Sequence, residues 1–527
     1  MKLIHWLLLA TLLKQIIFLA VIPLWHGPDE QAHFAQVQYL AEFGRLLKPT
    51  GSDLTTSQEI LLSQRFLGTE RDGLGKNKFT HRPDYRINYT PTIIGEYEPV
   101  INHLPIQLRT QLVKQEATVY PPLFYIASAL PYRLAYPLGL ISRVFFTRLV
   151  SVAMGLTLIW LAYRLGRLIF PRHQLLGLTL PVLVSFQPMF SFLTSTVNSD
   201  NLMNLLFTLW LYLTVKIITD QRIQFKYFLS LALTTIAGLF TKPHFVIVFP
   251  LLLLLPFFIR PQIKFALRRY PQQVALVFIG LVTIITIYFR PQIIRLSQGQ
   301  TIGFSEIGLP MLTHPRYNIP LTTHLVWTLR HTIAEVIPWY WGVFNWLGVT
   351  LPRVVNRIIN RIMILSVLGL LVWLIRLFGR RLDRTAKAKI FLGLSAVTFF
   401  VVLFLWDWLF TRGHSFSFGM QGRYYFPLIT VHMTFLLVGL TNLVHRSWWI
   451  KLIGISVITL NFIGLHTLVK AYYQLWPLSV LFNQVSQYKP LYLKFPYFAV
   501  WFTLYLGTLL IFAFKYLNYA HHPRSRA

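Results

Sequence analysis

The chain contains no cysteine. Disulfides, thiolate metal sites and cysteine nucleophiles are therefore excluded. Acids are also scarce, with 17 Asp and Glu against 49 Lys and Arg in 527 residues. Charged residues of both signs make up 13% of the sequence, about half of the roughly 25% usual in soluble domains. With 55% hydrophobic residues and a mean hydropathy of +0.53, this balance excludes a water-soluble globular protein. It points to an all-α polytopic membrane protein. There is no low-complexity tract, no internal repeat and no soluble domain of any size, so residues 1–527 read as one integral membrane domain. In a soluble protein a net charge of +32 would suggest nucleic acid. Here it is assigned to membrane topology and to anionic lipid or phosphate, and no nucleic-acid partner is expected.

Apolar windows near twenty residues predict twelve transmembrane helices: 3–24, 143–169, 174–195, 201–219, 225–241, 243–259, 272–289, 358–378, 388–409, 424–444, 449–469 and 496–517. The first is too long, and lacks the small-residue cleavage site, for a signal peptide, so it reads as a retained span. The stretch 120–138 is apolar but short, proline-broken and aromatic, which predicts an interfacial or re-entrant helix. Charge supports this count. With a cytoplasmic N-terminus, the inner loops collect Arg164, Arg167 and Arg172, then Arg260, Lys264, Arg268 and Arg269, then Arg376 to Lys389. A thirteenth span would turn these clusters outward. Both termini are then expected in the cytoplasm of a bacterial cell. The first extracytoplasmic loop, 25–142, carries 11 of the 17 acids, counted from Asp29 to Glu116, and is expected to form interfacial helices, the first from Pro28 to about Leu47. A second long extracytoplasmic segment covers 290–357, with an amphipathic run around Thr323–Ile337.

Chemistry concentrates where the first span ends, in Trp25-His26-Gly27-Pro28-Asp29-Glu30-Gln31-Ala32-His33. A carboxylate held ionised at a helix start suits a general base, which makes Asp29, Glu30 and His33 the catalytic candidates. Proline and acids also suit a plain helix start. A third reading places His26, Asp29 or Glu30, and His33 around a divalent metal. One Glu-x-x-His spacing carries that weakly, and no other cofactor is expected. Four basic residues, Arg143, Arg148, Lys242 and Arg423, stand at the outer ends of spans against the charge bias. They suit a lipid phosphate, although each alone could snorkel to headgroups. Asp200, in Asn198-Ser199-Asp200-Asn201, is either a helix cap or the partner of a basic residue lining the cavity. Trp341 and Trp346, in Trp339-Tyr340-Trp341-Gly342-Val343-Phe344-Asn345-Trp346, form either an aromatic belt or a platform for a sugar or prenyl chain. Tyr424 and His103 complete the expected substrate-binding set.

Five stretches in order resemble the GT-C superfamily of polyprenyl-phosphate-sugar-dependent glycosyltransferases, and within it a group of bacterial multi-spanning proteins. They are Pro28-Asp29-Glu30 with His33, Tyr120-Pro121-Pro122-Leu123, Asn198-Ser199-Asp200, Trp341-Gly342-Val343-Phe344 with Trp346, and Gln421-Gly422-Arg423-Tyr424 leading to Pro427. The resemblance implies a GT-C-like fold and transfer of a sugar from a polyprenyl phosphate to a cell-envelope acceptor outside the cytoplasmic membrane. It also implies an acid after the first span as base, carried here by Asp29, and basic residues on the lipid phosphate, carried by Lys242 and Arg423. Single displacement would invert the sugar. Two alternatives stay open. A polymerase or ligase of lipid-linked glycans would draw on His314, Arg316, Arg330 and His331. A flippase would favour charge at mid-span and repeated halves.

Overall fold

A computed structural model describes residues 2–47, 55–70, 87, 89–115, 117–118, 120–220, 224–260, 310–379 and 381–519, with scattered residues between 263 and 290. Among the described residues the protein is a helical membrane bundle with two small β-pairs. Eight helices are long and apolar enough to span: α1 (Leu3–Val21), α6 (Leu140–Ile169), α9 (Asp200–Thr219), α14 (Arg353–Leu377), α15 (Arg384–His414), the run Gly422–Leu443 ending in α16 (Ile429–Leu443), α17 (Ser447–Tyr472) and α19 (Tyr497–Leu517). Three shorter apolar pieces add α7 (Gln174–Ser185), α10 (Phe225–Leu239), and a 3-10 turn Pro243–Ile247 leading into α11 (Val248–Phe258). The expected span 272–289 lies partly outside the described residues.

The expected single helix 174–195 is broken. α7 stops at Ser185, and α8 (Pro188–Leu193) restarts with proline in its first turn, where the missing N–H costs nothing. The break leaves backbone groups that the membrane interior cannot satisfy. Lys14, fully buried in α1, donates to the Ser185 carbonyl and to Ser191 Oγ at 2.9 Å. Gln15 Nε2 donates to Thr194 Oγ1 at 2.7 Å and its carbonyl accepts from Ser195 Oγ at 2.7 Å. A polar seam thus fixes residues 185–195 against the first span. Lys14 sits well inside the first span, so polar groups are not confined to the span ends.

Among its described residues the first loop folds into four α-helices, α2 (Glu30–Phe43), α3 (Gln58–Leu67), α4 (Pro91–Asn102) and α5 (Leu123–Leu134). α2 starts two residues later than expected and ends at Gly44, whose φ of 65° terminates it. Strands Thr55–Ser57 and Leu112–Lys114 pair antiparallel, Thr56 opposite Val113. α5 buries Phe124, Tyr125, Ser128 and Tyr132 and exposes Ile126, Leu130 and Leu134, the amphipathic division of an interfacial helix. In the second segment α12 (Leu321–His331) continues through a π-turn, Thr332–Val336, into α13 (Ile337–Trp341).

Helices cross closely where both carry glycine. A Cβ on Gly369 of α14 would lie 1.9 Å from the Gly439 carbonyl of α16, and one on Gly439 would lie 2.1 Å from the Ser366 carbonyl. Lipid offers no hydrophobic drive for helices to associate, so such close backbone packing supplies the attraction. Gly439→Val is expected to force the pair apart at a cost of about 1–3 kcal/mol, read as a lower thermal midpoint in detergent. An unchanged midpoint would show that the two backbones do not meet there.

Candidate active site

The chain leaves α1 and turns back within eight residues. Two non-glycine residues of this turn, Trp25 (φ 65°) and Asp29 (φ 54°), adopt the left-handed conformation, which side chains disfavour and the surroundings must enforce. Trp25 is fully buried and donates from Nε1 to Ser63 Oγ at 2.9 Å. A Cβ on Gly27 would lie 2.6 Å from Thr196 Cβ, so the turn presses directly on the polar 194–199 segment. Asn198 Nδ2 donates to the Pro28 carbonyl at 2.8 Å, and Asn198 Oδ1 accepts from Asp200 N at 2.8 Å. One amide therefore sets the distance between the two acidic positions.

Asp29 and Glu30 have opposite fates. Glu30 is fully buried and accepts from Arg148 Nε at 2.7 Å, Arg148 Nη2 at 2.6 Å and Val197 N at 3.0 Å. Arg148 also donates to the Ile22 and Pro23 carbonyls at 3.0 and 2.9 Å. Asp29 occupies the cap position of α2, yet its side chain makes no cap. It is 32% exposed and accepts from Arg423 Nη2 at 2.9 Å. The helix-start role thus fails for Asp29, whose side chain leaves the helix for a guanidinium 394 residues away.

Arg423 follows Gly422, where a Cβ would lie 2.2 Å from Tyr340 N, so a glycine is required for the chain to pass. The Arg423 side chain is 5% exposed, and its Nε and Nη1 have no hydrogen-bond partner among the described residues. It lines two cavities at once. The larger also takes Tyr120, Asp200, Lys242, Trp406, Phe418 and Tyr424. The smaller takes His26, Pro28, Trp346 and Gln421. Lys242 pairs with Asp200 and lies 4.5 Å from the centre of the Tyr120 ring. Burial opposes the Lys242 charge, but the Asp200 carboxylate outweighs it and lifts the ammonium above its ordinary range. His33 bonds Tyr125 Oη at 3.1 Å. Burial first, and then the Lys242 charge, push His33 down to about 3, so it stays neutral at physiological pH and brings no cation to a phosphate.

The structure brings Asp200, Lys242, Arg423, Tyr424 and Trp346 to these two cavities, and Asp29 reaches them through its ion pair with Arg423. It does not bring the others. Arg143 and Arg148 are corrected as phosphate ligands: both are fully buried, Arg143 pairing with Glu59 and donating to Tyr132 Oη at 2.8 Å. Glu30 is corrected in the same way, since Arg148 and Val197 occupy its oxygens. Trp341 lines a separate apolar cavity of about 1040 Å³ with Met363, Leu370 and Leu436. His103 is exposed beside the Pro99 carbonyl, 2.8 Å away, at the end of α4. No group of three His, Asp or Glu gathers as a metal site among the described residues. Two cavity residues stand out less in the sequence, Trp406, which resembles any aromatic in a span, and Phe418 in the loop after that span. Sequence reasoning missed Asp407, a lone acid inside an apolar helix and so a detectable signal. Asp407 accepts from Ser417 Oγ at 2.9 Å and Phe418 N at 2.8 Å, and His324 Nε2 lies 3.3 Å from it. It shapes the loop that leads to Arg423.

Residues 12–431, or 420 of 527, match the family model described as "Predicted membrane protein (DUF2142)". No curated protein sequence matches the chain. Solved structures similar to it include ArnT from Cupriavidus metallidurans bound to undecaprenyl phosphate, 13% identical, with 97% of this chain and 77% of that one covered and a TM-score of 0.45. Another is the archaeal oligosaccharyltransferase AglB from Archaeoglobus fulgidus, in complex with an inhibitory peptide and a dolichol-phosphate. It is 12% identical, with 90% of this chain and 56% of that one covered and a TM-score of 0.44. The chain thus spans little more than half the length of AglB.

Removing one member of a buried ion pair strands the other. Glu30→Ala is expected to destabilise the fold by about 3–5 kcal/mol, and Asp29→Asn by much less because Asp29 is partly solvated. Thermal unfolding of both variants checks this, and equal losses would refute the division of roles.

Proposed function

The chain belongs to the DUF2142 family of predicted membrane proteins, and on that footing we propose that it is a membrane glycosyltransferase using a polyprenyl-phosphate-linked sugar as donor. The observation that carries this reading is Arg423. Its guanidinium is almost fully buried with one N–H on Asp29, while Nε and Nη1 are unmatched beside two cavities. Buried donors without partners are costly, and a phosphate oxygen would satisfy both.

In this reaction the Asp29 carboxylate takes the proton of an acceptor hydroxyl. The hydroxyl oxygen bonds to the anomeric carbon as the bond from that carbon to the phosphate oxygen breaks. The electron pair leaves with the lipid phosphate, whose charge is met by Arg423 and Lys242. Phosphate is a good enough leaving group without a general acid, so one base and a basic clamp suffice. One displacement inverts the sugar. Arg423 also holds the Asp29 carboxylate in place before the acceptor arrives. Trp406, Phe418 and Tyr424 supply flat apolar faces of the kind that cover a sugar ring. The charge bias of the loops assigns this site to the extracytoplasmic face, with both termini in the cytoplasm.

The polymerase or ligase alternative draws on His314, Arg316, Arg330 and His331, and none of them lines either cavity. The flippase alternative draws on mid-span charge, and Lys14 is already engaged with Ser185 and Ser191.

Asp29→Asn is expected to lower sugar transfer by about 10²–10⁴-fold while donor binding persists, measured on purified protein with radiolabelled donor. Transfer at the wild-type rate would remove Asp29 from the role of base. Arg423→Ala should weaken donor binding by more than acceptor binding, and equal loss for both would count against the clamp. The cell-envelope glycan missing from a deletion strain would identify sugar and acceptor together.

A further inference from the structure

α6 and α9 carry the candidate site at one end only. Arg148 and Asp200 lie at that end. Sixteen residues further along each helix stand Arg164 and Lys216 (148 to 164, 200 to 216), about 24 Å away at 1.5 Å per residue. There the bundle opens into two adjoining clefts of about 1110 and 910 Å³, which share Lys2, Tyr163 and Arg167. Lys2 precedes α1, so three elements bring four cations to one place.

The two arginines are held by aromatics rather than by acids. Arg164 lies 5.2 Å from the Trp160 ring centre and 5.8 Å from that of Tyr212, and its Nη2 donates to Tyr212 Oη at 3.2 Å. Arg167 lies 5.8 Å from the Tyr163 ring centre. Among the described residues Asp220 is the acid that reaches the cluster, and it pairs with Lys216 at 3.0 Å. Arg164, Arg167 and Lys2 have no carboxylate partner among the described residues. Stacking fixes each guanidinium plane while leaving N–H groups for an anion. Leu168, Phe170 and Leu178 continue the wall as apolar surface, and Trp160 is 42% exposed beside it. A cationic mouth above an apolar wall, flanked by an outward tryptophan, has the chemistry of a membrane-interface site.

We propose that this cleft binds the phosphate headgroup of an anionic phospholipid, with Arg164 and Arg167 on the phosphate, Lys2 at the rim and the acyl chains along the apolar wall. The site is separate from the Asp29–Arg423 cavities and independent of the reaction assigned to them. The same phosphate chemistry could be presented by a free anion, so the test separates the two sources.

The full chain is reconstituted in phosphatidylcholine vesicles containing phosphatidylglycerol, and lipid retained on the folded protein is counted by native mass spectrometry. Wild type should retain phosphatidylglycerol in preference to phosphatidylcholine. The double variant Arg164→Gln/Arg167→Gln should retain it roughly thirtyfold less well, and Lys2→Gln roughly fivefold. Both arginines are exposed, so folding is expected to survive, and Lys2→Gln reads the same site should it not. Arg376→Gln/Arg381→Gln removes equal charge outside the cleft and should leave retention unchanged. Equal retention of the two lipids would overturn the proposal, as would an equal loss in the control pair. Displacement of the lipid by inorganic phosphate alone would identify a free anion as the occupant and overturn the lipid assignment.

Discussion

The bidentate contact between Glu30 and Arg148 is the constraint on which the rest of the site depends. Arg148 reaches four acceptors that belong to one turn, the carbonyls of Ile22 and Pro23 and the two oxygens of Glu30. It packs over Phe145 at 4.5 Å. The exit of the first span, the start of α2 and the body of α6 are therefore fixed to one another. A buried ion pair adds little net stability over apolar packing, but it tolerates one geometry only. Beside it, Asp29 sits in the left-handed region with its carboxylate on Arg423.

Around this fixed turn the site is assembled from distant parts of the chain. Asn198 joins the turn to Asp200, Asp200 joins Lys242, and Asp29 joins Arg423. Each link crosses from one helix end to another, and none is local in sequence apart from Asn198 to Asp200. The loop before Arg423 is set by Asp407, and Gly422 lets the chain pass Tyr340. Lys242 is then held by Asp200, and Arg423 is held by Asp29 on one side with Nε and Nη1 unmatched on the other among the described residues. A lipid phosphate could enter without the protein having to reorganise its charges, which is the condition for electrostatic stabilisation to act at once.

Much of this was legible in the sequence. Apolar length marked the spans, and the cluster at 25–33 stood out because acids are rare. Lys242 and Arg423 stood out because they oppose the charge bias. What could not be read was the division of labour. Asp29 and Glu30 are adjacent, and only the backbone conformation at Asp29 separates them. Arg143 and Arg148 oppose the charge bias as strongly as Arg423 does, but their partners, Glu59 and Glu30, lie 84 and 118 residues away. A window-based reading has no access to such pairs. The break at Ser185–Pro188 was hidden for a similar reason. Its residues are apolar enough for a continuous span, and the groups that make a break tolerable, Lys14 and Gln15, belong to another helix.

Lys14 has a consequence for how the protein is made. The ribosome synthesises it 171 residues before Ser185, so the first helix enters the bilayer with a cation whose acceptors do not yet exist. On insertion scales a lysine near mid-helix costs about 2.5–3.5 kcal/mol. Leu3–Val21 contains twelve Leu, Ile, Phe and Val residues, which together favour entry by about 4–7 kcal/mol. These residues offset the lysine as the helix enters. The leucine density of the first span therefore answers to the order of synthesis as well as to the finished bundle, and substitutions that thin it would act on the nascent chain before any active site exists.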